Sequence, residues 1–87
     1  SPLQLAVYLG SEKTVALLLD HGADVNRQCG SLDAPLLLAV ENDQAAIVQL
    51  LLQSGADSNC PRVSTDAPLH VALRNKSRPC VRLLLRH

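Results

Sequence analysis

Residues 34–40, APLLLAV, and residues 47–57, IVQLLLQSGAD, decide the fold of this 87-residue chain, because both segments recur in it. The spacing of the copies is 33 residues, and they read SPLQLAV and TVALLLDHGAD at 1–7 and 14–24, then APLHVAL and CVRLLLRH at 67–73 and 80–87. A fixed period of this size is typical of supersecondary units that stack and bury their apolar faces against each other.

Each unit has the pattern of two short helices joined by a turn. Pro2, Pro35 and Pro68 suit the first helical position, where φ is already correct and no N–H is needed. Gly22 and Gly55 follow the leucine triplets and suit the left-handed position that ends a helix. The sequence therefore predicts an all-α fold, with helices over 2–9, 12–20, 35–42, 45–53, 68–74 and 78–86.

The middle unit has a neighbour on each side, so its apolar residues should be the most buried. The chain has no Phe, Trp or Met, which leaves Leu, Val, Ala and Ile to build the core. We expect the most buried positions of this unit to be Leu36, Leu38, Ala39, Ile47, Val48, Leu51 and Leu52.

The repeated unit resembles the ankyrin repeat, whose pattern runs T-P-L-H-L-A-A and then V-V-x-L-L-L-x-x-G-A-D-V-N. The match covers the whole chain as three units of about 1–33, 34–66 and 67–87, the last truncated, and this predicts a fragment of a longer array. The resemblance implies a solenoid of stacked helix-turn-helix units with short loops or hairpins between them. It also implies a structural role for His70, which stands at the motif histidine.

Some positions depart from the family pattern. Gly10 keeps the glycine that closes the first helix, but Asp43 and Lys76 replace it in the later units. With further changes in the loops, this predicts hairpin tips that are looser or differently shaped than in an idealised array. Asp33 and Asp66 precede the Ala-Pro pairs where the family has a capping threonine, so we expect each to cap the next helix in part.

Composition excludes several classes of function. The 8 basic and 8 acidic residues balance, which argues against broad contact with nucleic acid. The apolar runs are too short for a membrane span, and no signal-peptide layout is present. Three cysteines without zinc or disulfide spacing indicate a reduced, intracellular protein, cytoplasmic or nuclear. Among them, Cys80 should fill the core and Cys29 should lie more exposed in a loop.

No residue pattern for catalysis is present. The chain lacks a phosphate-binding loop, His-Glu-x-x-His, Cys-x-x-Cys and a nucleophile paired with a base, so we expect no enzyme activity, metal or cofactor, and no small-molecule ligand. Asp24 and Asp57 could suggest a carboxylate pair for acid–base chemistry, but they lie a full repeat apart. We expect each to order its local loop. His21 should be a solvated residue at a helix end.

The resemblance implies where a partner would bind: at the loop tips and at the ends of the first helices, which line the concave side of ankyrin arrays. Stacking would place Tyr8, Glu41 and Arg74 in one row. The partner-binding residues expected on this basis are Tyr8, Leu9, Gln28, Gly30, Ser31, Asp33, Glu41, Asn42, Pro61, Val63, Ser64, Asp66, Arg74 and Asn75. One alternative remains open, in which Glu41 and Arg74 are only solvated surface and Tyr8 packs on a preceding repeat.

The sequence thus favours a non-catalytic module that binds another protein or a peptide segment. The Asp-Ala-Pro-Leu openings and the run at 80–87 look like those of ankyrin-repeat and SOCS-box proteins, which implies substrate recognition for a cullin-type ubiquitin ligase. The alternative is a regulatory segment that docks within a larger enzyme or channel. The oligomeric state stays open.

Overall fold

A computed structural model describes residues 2–26, 34–57 and 68–86. Within these ranges the chain forms no strand, and its helices are α1 (Pro2–Leu9), α2 (Glu12–Asp20), α3 (Pro35–Glu41), α4 (Ala45–Gln53), α5 (Pro68–Arg74) and α6 (Arg78–Arg86). The all-α prediction is confirmed. The helix ranges agree as well, except that α3 ends at Glu41 and Asn42 is its C-cap.

The helices form three pairs that stack in two layers. Within the pairs, α1 packs on α2, α3 on α4 and α5 on α6. Between the pairs, α3 packs on both α1 and α5 in the first layer, and α4 packs on both α2 and α6 in the second layer. Residues 33 positions apart therefore occupy equivalent places in neighbouring pairs, which is the register that the repeat predicts.

Among the described residues, the middle pair contributes more buried apolar side chains to the core than either of the other two pairs. Of the positions expected to be most buried, the structure buries Leu36, Ala39, Ile47, Val48, Leu51 and Leu52. Val7 and Val15 from the first pair, with Ala72 and Cys80 from the third, are fully buried around them. Cys80 is thus the small core residue that the sequence predicts.

The prediction for Leu38 is wrong, because this side chain is only partly buried. Successive residues turn by about 100° around an α-helix. The buried stripe of α3 contains Leu36, Ala39 and Val40, and Leu38 lies on the far side of that stripe. Leu37, which occupies the motif histidine position, is buried in its place at 1% exposure.

The turn between the paired helices is the same in all three pairs. Gly10, Asp43 and Lys76 have φ of 76°, 55° and 56°, all in the left-handed region. The N–H of Asp43 donates to Val40 O at 3.0 Å, and the N–H of Lys76 donates to Leu73 O at 3.1 Å, as Gly10 does to Val7 O at 3.0 Å. The replacements at Asp43 and Lys76 therefore leave the conformation of this turn unchanged. The changed loop tips lie outside the described residues.

Side-chain hydrogen bonds join neighbouring pairs at both ends of the helices. Asn26 Nδ2 donates to Gly55 O at 3.0 Å, and Asn26 Oδ1 accepts from the Asp57 N–H at 2.9 Å. At the opposite end of the helices, Asp43 Oδ1 accepts from the Ser77 hydroxyl. The link from Asn26 to the next pair is a structural finding that sequence analysis did not anticipate.

Exposed large apolar side chains belong to the outer pairs of the described stack. They are Leu5, Tyr8, Leu9 and Leu17 in the first pair, and Leu73 and Leu85 in the third. Leu73 and Leu85 are 56% and 69% exposed, while their equivalents Val40 and Leu52 are buried by the third pair. Coverage by a neighbouring pair, more than residue type, therefore decides burial at these positions.

Candidate functional site

The first layer presents a row of three exposed side chains at equivalent positions. Tyr8, Glu41 and Arg74 lie in the last turns of α1, α3 and α5, and all three are exposed. Because α3 packs between α1 and α5, the row crosses the stack and places an aromatic ring, a carboxylate and a guanidinium in sequence. Among the large hydrophobic side chains in the described residues, Tyr8 is the most accessible, at 70% exposure.

A second row follows directly along the same edge. Leu9 ends α1, Asn42 caps α3 and Asn75 comes just after α5, and all three side chains are exposed. Asn75 Nδ2 donates to Glu41 O at 3.4 Å, which ties the second row to the first row of the neighbouring pair. The two rows together form a surface that we name the first-layer edge: Tyr8, Leu9, Glu41, Asn42, Arg74 and Asn75.

The remaining expected binding residues lie outside the described part of the chain. These are Gln28, Gly30, Ser31 and Asp33 in one loop, and Pro61, Val63, Ser64 and Asp66 in the other. Cys29 also lies outside the described residues. The structure brings six of the expected residues together on the first-layer edge, and the loop residues stay a prediction.

His21 and Asp24 make hydrogen bonds to backbone groups close to them in the chain. Nδ1 of His21 lies 2.8 Å from Leu17 O at the end of α2, so this exposed ring caps the helix as expected. Asp24 Oδ1 accepts from the Asn26 N–H at 2.9 Å, which confirms its local role. His70 is exposed on α5, and the loop that its ring would contact in the family pattern lies outside the described residues.

Cys80 is the only described cysteine, and its surroundings make it unreactive. Burial raises the pKa of its thiol above 9.0, and the nearby carboxylate of Asp43 raises that pKa further, although the hydroxyl of Ser77 lowers it. The Cys80 thiol donates to Asp43 Oδ1 at 3.8 Å, so it stays protonated near neutral pH. A buried, protonated thiol is a poor nucleophile.

Neither a metal site nor a membrane span occurs in the parts of the chain that the structure describes. In residues 2–26, 34–57 and 68–86, no group of His, Cys, Asp and Glu side chains has the arrangement needed to hold a metal ion. The described helices are also shorter and less apolar than a helix that crosses a bilayer must be.

Charge is strongly segregated along the stack, which the balanced total conceals. Residues 67–87 contain five of the 8 basic residues, Arg74, Lys76, Arg78, Arg82 and Arg86, and no acidic residue. The carboxylates lie in the first two repeats. Counting charge within each repeat would have revealed this pattern, which sequence analysis missed by counting over the whole chain.

Comparison with known protein families gives one result for the chain. A family model described as ankyrin repeats, in three copies, matches residues 3–87. A comparison with curated proteins finds no significant match. The matched range contains all six helices except the first residue of α1.

Proposed function

The chain belongs to the ankyrin-repeat family, and from this we propose that it is a non-catalytic module that binds a segment of another protein on its first-layer edge. Ankyrin repeats are protein–protein interaction modules. The observation that carries the proposal is the register of Tyr8, Glu41 and Arg74, which stacking aligns in one exposed row. In the family, this edge continues into the loops, so Asp33 and Asp66 belong to the proposed surface.

The chemistry of the row suits a peptide that carries both charges. An exposed tyrosine offers a large apolar contact area with a polar tip, and tyrosine is enriched at energetically important interface positions. Glu41 and Arg74 place opposite charges on neighbouring pairs, which favours a partner with the complementary order. The amide of Asn42 can supply a further hydrogen bond to an extended backbone.

The proposal also includes a more specific role and a cellular location. The openings of the repeats favour recognition of substrates for a cullin-type ubiquitin ligase, and the cysteine content favours an intracellular location. Immunoprecipitation of the endogenous protein tests the first, since a cullin should be recovered with it. Recovery of the partner without any cullin would restrict the function to binding.

The test of the binding surface begins with a partner captured by the tagged chain and identified by mass spectrometry. Titration calorimetry then compares single variants against that partner. Tyr8→Ala should weaken binding most, by about 2 kcal/mol or roughly 30-fold in Kd, because buried aromatics contribute more than charges at the rim. Arg74→Glu should act mainly on the association rate and its dependence on salt.

Matched controls come from the second layer. Leu17 is exposed to 59% on α2, so Leu17→Ala removes a comparable apolar side chain from the other layer. Lys13→Glu reverses one charge there, as Arg74→Glu does on the edge. Both controls should bind like the parent. If Tyr8→Ala and Arg74→Glu also bind like the parent, the first-layer edge is not the site.

A further inference from the structure

The second layer contains a groove that the proposed function does not use. It lies between α4 and α6, has a volume of about 420 Å³, and is lined by Ala45, Ala46, Gln49, Pro79, Arg82, Leu83 and Arg86. Four of its seven lining residues are apolar, namely Ala45, Ala46, Pro79 and Leu83. Two arginines one helical turn apart form one margin, and no carboxylate lines the groove.

The arginines belong to a stripe along α6. Arg78, Arg82 and Arg86 are spaced by four residues, so they lie on one face of the helix, and all three are exposed. In the described part of the chain, no carboxylate forms an ion pair with them. Like charges at this spacing destabilise a helix, and Arg78 stands in the first turn, where the helix dipole disfavours a cation. The dipole favours only Arg86, in the last turn, so helix stability does not account for the whole stripe.

Internal comparison shows that the repeat itself does not need these charges. At the positions equivalent to Arg82 and Arg86, α4 carries Gln49 and Gln53, and it packs in the same layer. The corresponding face of α2 includes Glu12 and Asp20, so the outer surface changes from acidic through neutral to basic along the stack. The cationic margin is thus a feature of this one groove.

We propose that the groove between α4 and α6 is a docking site for a short acidic peptide segment of another protein. The apolar lining residues, with Ala46 and Leu83, receive an aliphatic side chain of the segment, and Arg82 and Arg86 bind carboxylates one helical turn apart. Arginine suits this role because its guanidinium can bind a carboxylate through two parallel hydrogen bonds. The surface is separate from the first-layer edge.

The extent of the charge favours a short peptide over a nucleic acid. The described basic residues of the outer surface are concentrated on one helix, whereas Glu12 and Asp20 occupy the same layer two helices away. A long polyanion that followed this layer would meet those carboxylates. Nucleic-acid binding depends on many phosphate contacts, and a groove with two cations at its margin supplies few.

The probe is a capped peptide of about ten residues with the repeating sequence EEL, titrated into the isotope-labelled chain and followed by NMR. The amide signals of α4 and α6 should shift. R82Q/R86Q should weaken the Kd by about tenfold, the sum of two partly exposed charge pairs. This variant gives α6 the glutamines that α4 already carries at Gln49 and Gln53, so the fold should tolerate it.

The control variant K13Q/K76Q removes the same net charge from positions that do not line the groove, and it should bind within about twofold of the parent. The same loss in both double variants would reduce the effect to overall charge and overturn the proposal. So would unaltered binding by R82Q/R86Q, shifts confined to α1, α3 and α5, or no binding at about 1 mM peptide.

Two further probes distinguish other occupants of the groove. A peptide with the repeating sequence QQL keeps the aliphatic side chains and removes the carboxylates, so it should bind at least about tenfold more weakly. A single-stranded oligothymidine at physiological ionic strength should leave the groove signals unchanged. Equal binding of the QQL peptide, or oligothymidine binding in the groove, would overturn the assignment to an acidic peptide.

Discussion

Lys76→Gly should stabilise the protein, although it removes a side chain from a helical repeat. Lys76 has φ of 56°, a conformation that costs a residue with a Cβ about 1–2 kcal/mol. Glycine removes that strain but adds about 0.5–1 kcal/mol of backbone entropy to the unfolded chain. The net gain in the free energy of unfolding should be about 0.5–1 kcal/mol, or roughly 2–8 °C in Tm for a domain of this size.

Variants at the two equivalent positions extend the same reasoning. Asp43 shares the left-handed φ, but its carboxylate accepts from the hydroxyl of Ser77, which is buried at 4% exposure. Asp43→Gly would leave that hydroxyl without its partner, at a cost of about 1–3 kcal/mol, so this variant should be less stable than the parent. Gly10→Ala should also destabilise, because a Cβ there would lie 2.9 Å from Gln44 Nε2 and φ is 76°.

Urea unfolding followed by circular dichroism measures all of these variants. Lys76→Ala is the control: it shortens the same side chain but keeps the Cβ, so its stability should stay within about 0.5 kcal/mol of the parent. The reasoning is refuted if Lys76→Gly is less stable than the parent, or if Lys76→Ala gains as much as Lys76→Gly. Either result would mean that the backbone conformation does not limit stability at this turn.

Three further predictions concern the core and the links between pairs. Leu51→Ala should lower the free energy of unfolding by about 2–5 kcal/mol, because Leu51 is fully buried; a loss below ~0.5 kcal/mol in chemical denaturation would place it outside the core. Asn26→Ala should cost about 1–2 kcal/mol in the same assay, since it removes the hydrogen bonds to Gly55 and Asp57, and parent-like stability would contradict the link. Because the folded pKa of Cys80 is raised, its contribution to stability should be complete below pH 9.0 and be lost as pH rises through the folded pKa; Cys80→Ala should remove this alkaline loss, and an equal loss in both proteins would contradict it.

The fold could be predicted from the sequence because its main determinants are local and repeated. Pro35 presets the φ of the first helical residue, and Gly55 accepts the left-handed conformation after the partner helix, so the helix bounds follow from residue type. The repeat then supplies the register between pairs. Leu38 escaped prediction because three consecutive leucines, Leu36 to Leu38, cannot all face one side of a helix, and their composition does not show which one turns away.

The links between pairs were harder to predict because they depend on distant residues. Asn26 is separated from Gly55 by 29 positions, and nothing near Asn26 in the chain indicates that contact. Asp43 and Lys76 keep the left-handed φ of Gly10 although neither is glycine, so this turn conformation does not follow from residue type alone. Long-range packing can override the local preference of a residue.

The candidate site was predictable where it follows the register and not where it depends on charge within one repeat. The row of Tyr8, Glu41 and Arg74 follows from the 33-residue spacing alone. The groove between α4 and α6 requires the two helices to be adjacent, and its cationic margin appears only when the charge of the third repeat is counted separately.

Hydrogen–deuterium exchange of the chain with and without its captured partner tests the central claim most directly. The claim is that the partner binds the first-layer edge, so protection on binding should appear at the ends of α1, α3 and α5, including the amides of Leu9, Asn42 and Asn75. Amides of α2, which contributes to neither proposed surface, should exchange at an unchanged rate. Protection confined to α2, α4 and α6 would contradict the claim and move partner binding to the second layer.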